Sequence, residues 1–233
     1  MKNKLKSAFT LAEVLITLGI IGVVAAMTIP NLIANYQKRQ TVTRLKKAFS
    51  IIQQTIKLSQ EENGEVESWD TTLTGTTFFH TYIADFVKYQ AEYTSAELKK
   101  QVSRKLLNGN SYTGTTYNGA NSAHFTLLDG SMITMNLNNS SEGGLWVGID
   151  VNGLSNPNQV GRDTFLFFFS SEYGLRALGD QGTPSAWRYG TYSRSTVGPN
   201  GSKSKACSSK KTGYWCSALI IYDGWEMASD YPW

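Results

Sequence analysis

Little in this chain suits catalysis. Histidine and cysteine each occur only twice in 233 residues, and charged residues make up 17% of them. Neither His80 nor His124 lies in an HExxH pattern, and GxSxG and CxxC patterns are also missing. His80 falls in a helical segment and His124 at the start of a strand, where each reads as a surface or packing residue. Net charge is low as well. Lys2, Lys4 and Lys6 supply most of the formal +4; without the first eight residues, Lys+Arg falls from 22 to 19 against 18 acids, leaving +1. A near-neutral body offers no electrostatic footprint for nucleic acid. Scarce charge with abundant Gly, Ser, Thr and Asn suits an extracytoplasmic surface. Cys207 and Cys216, close in sequence, are then expected to form one disulfide.

What the chain does have is a long apolar run. From Phe9 to Ile29 the only charged side chain is Glu13, Pro30 closes the run, and three lysines precede it. About 20 apolar residues cross a bilayer as a helix. The lysines predict a cytoplasmic N-terminus with the remainder outside. A carboxyl within such a helix costs about 2.5–3.5 kcal/mol on insertion scales, so Glu13 calls for a partner. An ordinary signal peptide has a shorter apolar core followed by a small-x-small site, for which Val24-Ala25-Ala26 is a poor candidate. A plain signal anchor explains the length and the lysines but not Glu13.

The basic leader, Ala8 before Phe9, Phe9-Thr10-Leu11-Ala12-Glu13 and Pro30 together resemble the N-terminus of type IV pilins and type II secretion pseudopilins. The resemblance covers about the first 35 residues. It implies cleavage by a prepilin peptidase between Ala8 and Phe9, and methylation of the new amine. It also implies assembly through Glu13, the fifth mature residue, into a filament of pilin-like subunits built by inner-membrane machinery. Ala8 stands where the family most often has Gly, which bears on the efficiency of cutting.

Beyond Pro30, Leu45, Phe49, Ile52 and Ile56 recur at helical spacing while Lys38, Arg39, Arg44, Lys46, Lys47 and Lys57 cover the other faces. One helix from Phe9 to about Gln60 is predicted, kinked at Pro30 and about 78 Å long at 1.5 Å per residue. Its basic face suits anionic head groups. Gly19 and Gly22 permit close approach of a neighbouring helix. Helical periodicity is then read over 78–90, and a capping box, Thr94 to Glu97, opens another helix to about Leu107. Residues 108–122 form a polar loop. A strong hairpin signal follows at Asp129-Gly130, between β runs within 125–135. Strands are expected at 145–150 and 164–169. A second Asp-Gly hairpin, 218–222 with 225–228, is expected to close the chain. The fold class is α+β: a long N-terminal helix, membrane anchor and amphipathic spine, packed on an antiparallel β-sheet head. The domains are a leader (1–8), a membrane and filament-core helix (9–30) and an extracytoplasmic head (31–233).

Asp150, Asn152 and Asp163 bring hard oxygen ligands to one β connection, chemistry that Ca²⁺ accepts. The loop is not an EF-hand. It resembles the Asp/Asn/Gly-rich loop that calcium fixes in major pseudopilins, while Asp and Asn are also ordinary turn formers. The tail from Gly224 to Trp233 is read as packing against the head. Two function classes remain: a filament subunit, or a membrane-anchored extracytoplasmic binding or degradative domain. Glu13 separates them, because an anchor needs no carboxylate.

Overall fold

The computed structural model describes residues 10–119, 121–137, 143–185, 187 and 192–233. Helix α1 (Leu11–Asn63) opens the chain and runs on through Pro30 without a break. Gly64, at φ +77°, donates to the Gln60 carbonyl (2.9 Å) and ends it, as a left-handed residue past a helix C-terminus does. The chain divides into two units, Met1–Gln40 and Thr41–Trp233, each described here by itself.

In the second unit α1 buries a single stripe: Val42, Leu45, Ala48, Ile52, Ile56 and Ser59. Leu45, Ile52 and Ile56 are fully buried, each stabilising the fold by about 1.5–3 kcal/mol. This is the apolar face the spacing predicts. After α1 come α2 (Gly75–Tyr82), β1 (Tyr89–Tyr93) and α3 (Ser95–Gln101). Then follow α4 (Thr115–Asn118), β2 (Ala123–Leu127), β3 (Met132–Leu137), β4 (Leu145–Asp150), β5 (Thr164–Ser170) and β6 (Gly174–Ala177). Two short helices, α5 (Arg194–Val197) and α6 (Cys216–Tyr222), precede the tail.

The strands make one antiparallel sheet in sequence order, β1 to β6, so every connection is between neighbours. Phe49 of α1 meets Phe167 of β5 at 5.3 Å between ring centroids, placing the helix on the inner face of the sheet. The α+β class holds, and several local expectations change: α4 lies inside the loop expected at 108–122, and β6 lies where no element is expected. Residues 89–93 form an edge strand rather than the end of a helix: Tyr89, Ala91 and Tyr93 alternate partly inward while Gln90 and Glu92 face water. Helix α3 opens on the expected Thr94–Glu97 capping box but stops at Gln101, six residues short of Leu107. β6 is a strand too short to show a period. Residues 216–222 are helical, not strand. Asp223 caps α6 and Gly224, at φ +76°, turns the chain out of it. Short apolar runs carry no period that separates the two states. Residues 216–220 are buried on every side, and the Ser217 hydroxyl donates to the Leu166 carbonyl of β5 (2.7 Å).

Candidate functional site: the N-terminal segment and the buried polar network

Among the described residues of the first unit, the large apolar side chains from Leu11 to Ile33 are all at least 43% exposed. Apolar surface of that extent is stable against lipid or protein, not water. α1 is also long and apolar enough to cross a membrane. No contact within the chain requires glycine at 19 or 22, where an added Cβ meets nothing within 4 Å.

Ala8 and Phe9 lie outside the described residues, but Glu13 does not. Its carboxylate accepts from the Thr10 backbone N–H (2.8 Å) and the Thr10 hydroxyl (2.8 Å), and the Glu13 N–H donates back to that hydroxyl (3.2 Å). This is a capping box, and it satisfies donors that a helix start leaves open. Thr10-x-x-Glu13 carries the same signature as Thr94-x-x-Glu97, so this second role of Glu13 is legible in the sequence.

In the second unit the loop between β4 and β5 holds a buried polar network. Asp150 is fully buried, accepts from the Thr164 hydroxyl (3.1 Å) and lies 3.8 Å from the Arg104 guanidinium. Burial pushes the Asp150 carboxyl well above the usual carboxylate range, and nearby Asp163 adds to the shift while Arg104 opposes it. Asp163 accepts from the Asn158 and Gln159 backbone N–H groups (2.7 and 2.6 Å), and its carboxyl is also raised, chiefly by burial. Arg104 lies over the Tyr117 ring, 4.2 Å from its centroid. Three oxygens in this region, Asn152 Oδ1, Asn158 Oδ1 and the Tyr117 hydroxyl, are buried without a hydrogen bond, as are Nε and Nη2 of Arg104.

Asp150, Asn152 and Asp163 therefore belong to one loop network, with a buried arginine that sequence reading does not find. Nothing local marks Arg104, which sits in an irregular stretch after α3 and reaches Asp150 across 46 residues. Two buried carboxylates share this loop, but only Asp150 lies beside the guanidinium; Asp163 is held by backbone N–H groups. With the orphaned Asn152 and Asn158 oxygens, the donor set fits a hard cation. Among the described residues no three His, Cys, Asp or Glu side chains converge as metal ligands, so amide oxygens would have to complete the shell.

Cys207 and Cys216 form a disulfide and are both buried. The bond ties the start of α6 to the preceding loop, whose Cys207 N–H donates to the Val197 carbonyl (2.8 Å). Closing so short a loop stabilises the fold by about 2–3 kcal/mol in the chain-entropy account. Cys207→Ser is expected to lower the thermal midpoint under non-reducing conditions to a corresponding degree. Full reactivity of both thiols in exported protein would show that the bond does not form there.

The tail packs on the head. Trp225 meets Phe49 at 5.2 Å, and the Tyr231 hydroxyl donates to the Gly161 carbonyl (2.6 Å). Arg194 holds both Asp223 and Asp230, at closest distances of 2.7 and 2.6 Å.

Residues 3–29 match the prokaryotic N-terminal methylation motif. The N-terminus is thus type IV pilin-like or pseudopilin-like and carries a segment able to anchor in a membrane. Residues 31–233 match a family of unknown function (DUF6613), and the chain belongs to that family. No curated protein and no solved structure matches it.

Proposed function

We propose that this protein is a subunit of a type IV-like pilus or a type II secretion pseudopilus. A prepilin peptidase removes residues 1–8 and Phe9 is methylated. Residues 9–30 then form the filament-core helix, bent at Pro30, and residues 31–233 the extracytoplasmic head. The observation that carries this reading is the methylation motif at 3–29 together with an exposed apolar stretch of α1, residues 11–29, whose one charge is Glu13. The partners are further pilin-like subunits, the peptidase and methylase, lipid, and inner-membrane assembly machinery. The head ends in the periplasm or at the cell surface. Mass spectrometry of the assembled protein should find N-methylated Phe9 as the first residue. A mature N-terminus after Ala26 would instead identify a cleaved signal peptide.

The head is further proposed to bind Ca²⁺ through Asp150 and Asp163 with the Asn152 and Asn158 side-chain oxygens. A cation there would take the two carboxylates together with the unpaired amide oxygens as ligands. Millimolar Ca²⁺ should raise the thermal midpoint of the detergent-solubilised chain by stabilising the folded state. Asp163→Ala should erase that gain. Equal melting in Ca²⁺ and chelator would leave the loop an ordinary hydrogen-bonded turn.

A further inference from the structure

Two features of the head lie at opposite corners of the sheet and complement one another. The first is a groove of about 380 Å³ beside β1, between α1 and the β2–β3 turn. Ile51, Leu58, Phe86 and Val87 line it, and Leu128 stands at its rim 69% exposed. Two lysines reach it. Lys47 is already paired with Asp129 at 2.8 Å, while Lys88 is exposed and leaves the rim positive. The second feature is the β5–β6 turn, where Glu172 is exposed and Tyr173, 45% exposed, lies with its Cβ against Gly182. Glu67 braces this turn from behind by accepting from the Ser171 N–H (2.9 Å) and the Ser171 hydroxyl. The turn is thus held, acidic and tipped by an aromatic ring.

Their positions follow from the topology. The groove belongs to the β1 edge and the turn to the β6 edge, about 24 Å apart across five strand spacings. In an antiparallel meander the β2–β3 and β5–β6 turns also lie at opposite ends of the strands. α1 confirms it: Lys47 pairs with Asp129 near one end, and Gln60 donates to the Ser171 hydroxyl at the other (2.6 Å). A patch at one corner that meets a different patch at the diagonal corner makes a heterologous contact, which repeats as a closed ring or as an open row; a filament uses the open row.

We propose that heads of neighbouring copies dock corner to corner. The β5–β6 turn of one copy seats Tyr173 in the groove of the next and sets Glu172 against Lys88. This rests on the filament reading above and adds the head–head contact to it. Apolar burial of Tyr173 against Leu58 and Leu128 supplies the attraction, and the charges select the partner corner.

The test uses the full chain expressed in cells and filaments sheared from them. Lys88→Glu and Glu172→Lys should each reduce filament yield about fivefold, as loss and reversal of an exposed pair would. The double variant, which restores the pair with its signs exchanged, should return most of the yield. Leu128→Cys combined with Tyr173→Cys should give an oxidised ladder of dimers, trimers and longer species. Either cysteine alone should give none, since Cys207 and Cys216 are bonded to each other. Four results overturn the proposal. Normal filaments from both charge variants with no ladder would leave filaments without this contact. Dimers from Leu128→Cys alone would mean the groove faces its own copy. A double variant as poor as the worse single one would mean that the groove takes another protein. An unmodified chain that yields no filaments would remove the filament reading itself, and the docking with it.

Discussion

Glu13→Leu is expected to leave the chain inserted in the membrane, cut before Phe9, and folded in its head, yet to abolish its recovery in sheared filaments. Cutting creates an amine at Phe9, four residues and about one helical turn before Glu13. In a filament core the amine of one copy and the carboxylate of another would meet in a low-dielectric setting, where opposite charges attract far more strongly than in water. An uncompensated Glu13 there would be costly, so only staggers that match amine to acid would be tolerated. In the single chain the carboxylate is held by Thr10, which gives it a partner before any neighbour arrives. Leucine lacks both partners but suits the membrane, so insertion should survive. Efficient assembly of Glu13→Leu would remove the reason for the carboxylate and favour the anchored-domain alternative.

The second large effect is expected in the head. Arg104→Met keeps the length of the side chain but removes the guanidinium from the Tyr117 ring and from Asp150. Asp150 then faces no cation in a buried site. Removing one partner of a buried charge pair costs about 3–5 kcal/mol, because the remaining charge is left uncompensated. Denaturant unfolding in chelator, where no bound cation can substitute, should show a loss of that order. Arg176→Met is the control: this arginine is nearly half exposed and lies 3.9 Å from Asp180, so its loss should cost less than about 1 kcal/mol. Equal midpoints for Arg104→Met and the unmodified chain would mean that the network contributes little to folding.

Legibility in this chain follows the range of the interaction concerned. The α1 stripe at Leu45, Ile52 and Ile56, the Thr94–Glu97 cap and the Asp129-Gly130 turn are decided within a few residues, and each is readable in order. β1 and α6 are misread because each is shorter than the window a period needs. Their state is settled from elsewhere: β1 by its pairing with β2, α6 by burial of residues 216–220 on all sides. Asp150 and Asp163 are visible as oxygen donors, but their burial and the arginine beside Asp150 are not. Those come from folding residue 104 against residue 150.

By itself the sequence determined the membrane-length helix, its lone carboxylate, the methylation motif and the α+β class. All four are properties of composition and spacing along one continuous stretch or of local periodicity. Only the tertiary structure decided that six strands run in sequence order, that Arg104 faces Asp150, and that the groove and the β5–β6 turn occupy diagonal corners of the sheet. Those are relations between residues far apart in the chain, set by which surfaces bury one another, and no local pattern of residues encodes them.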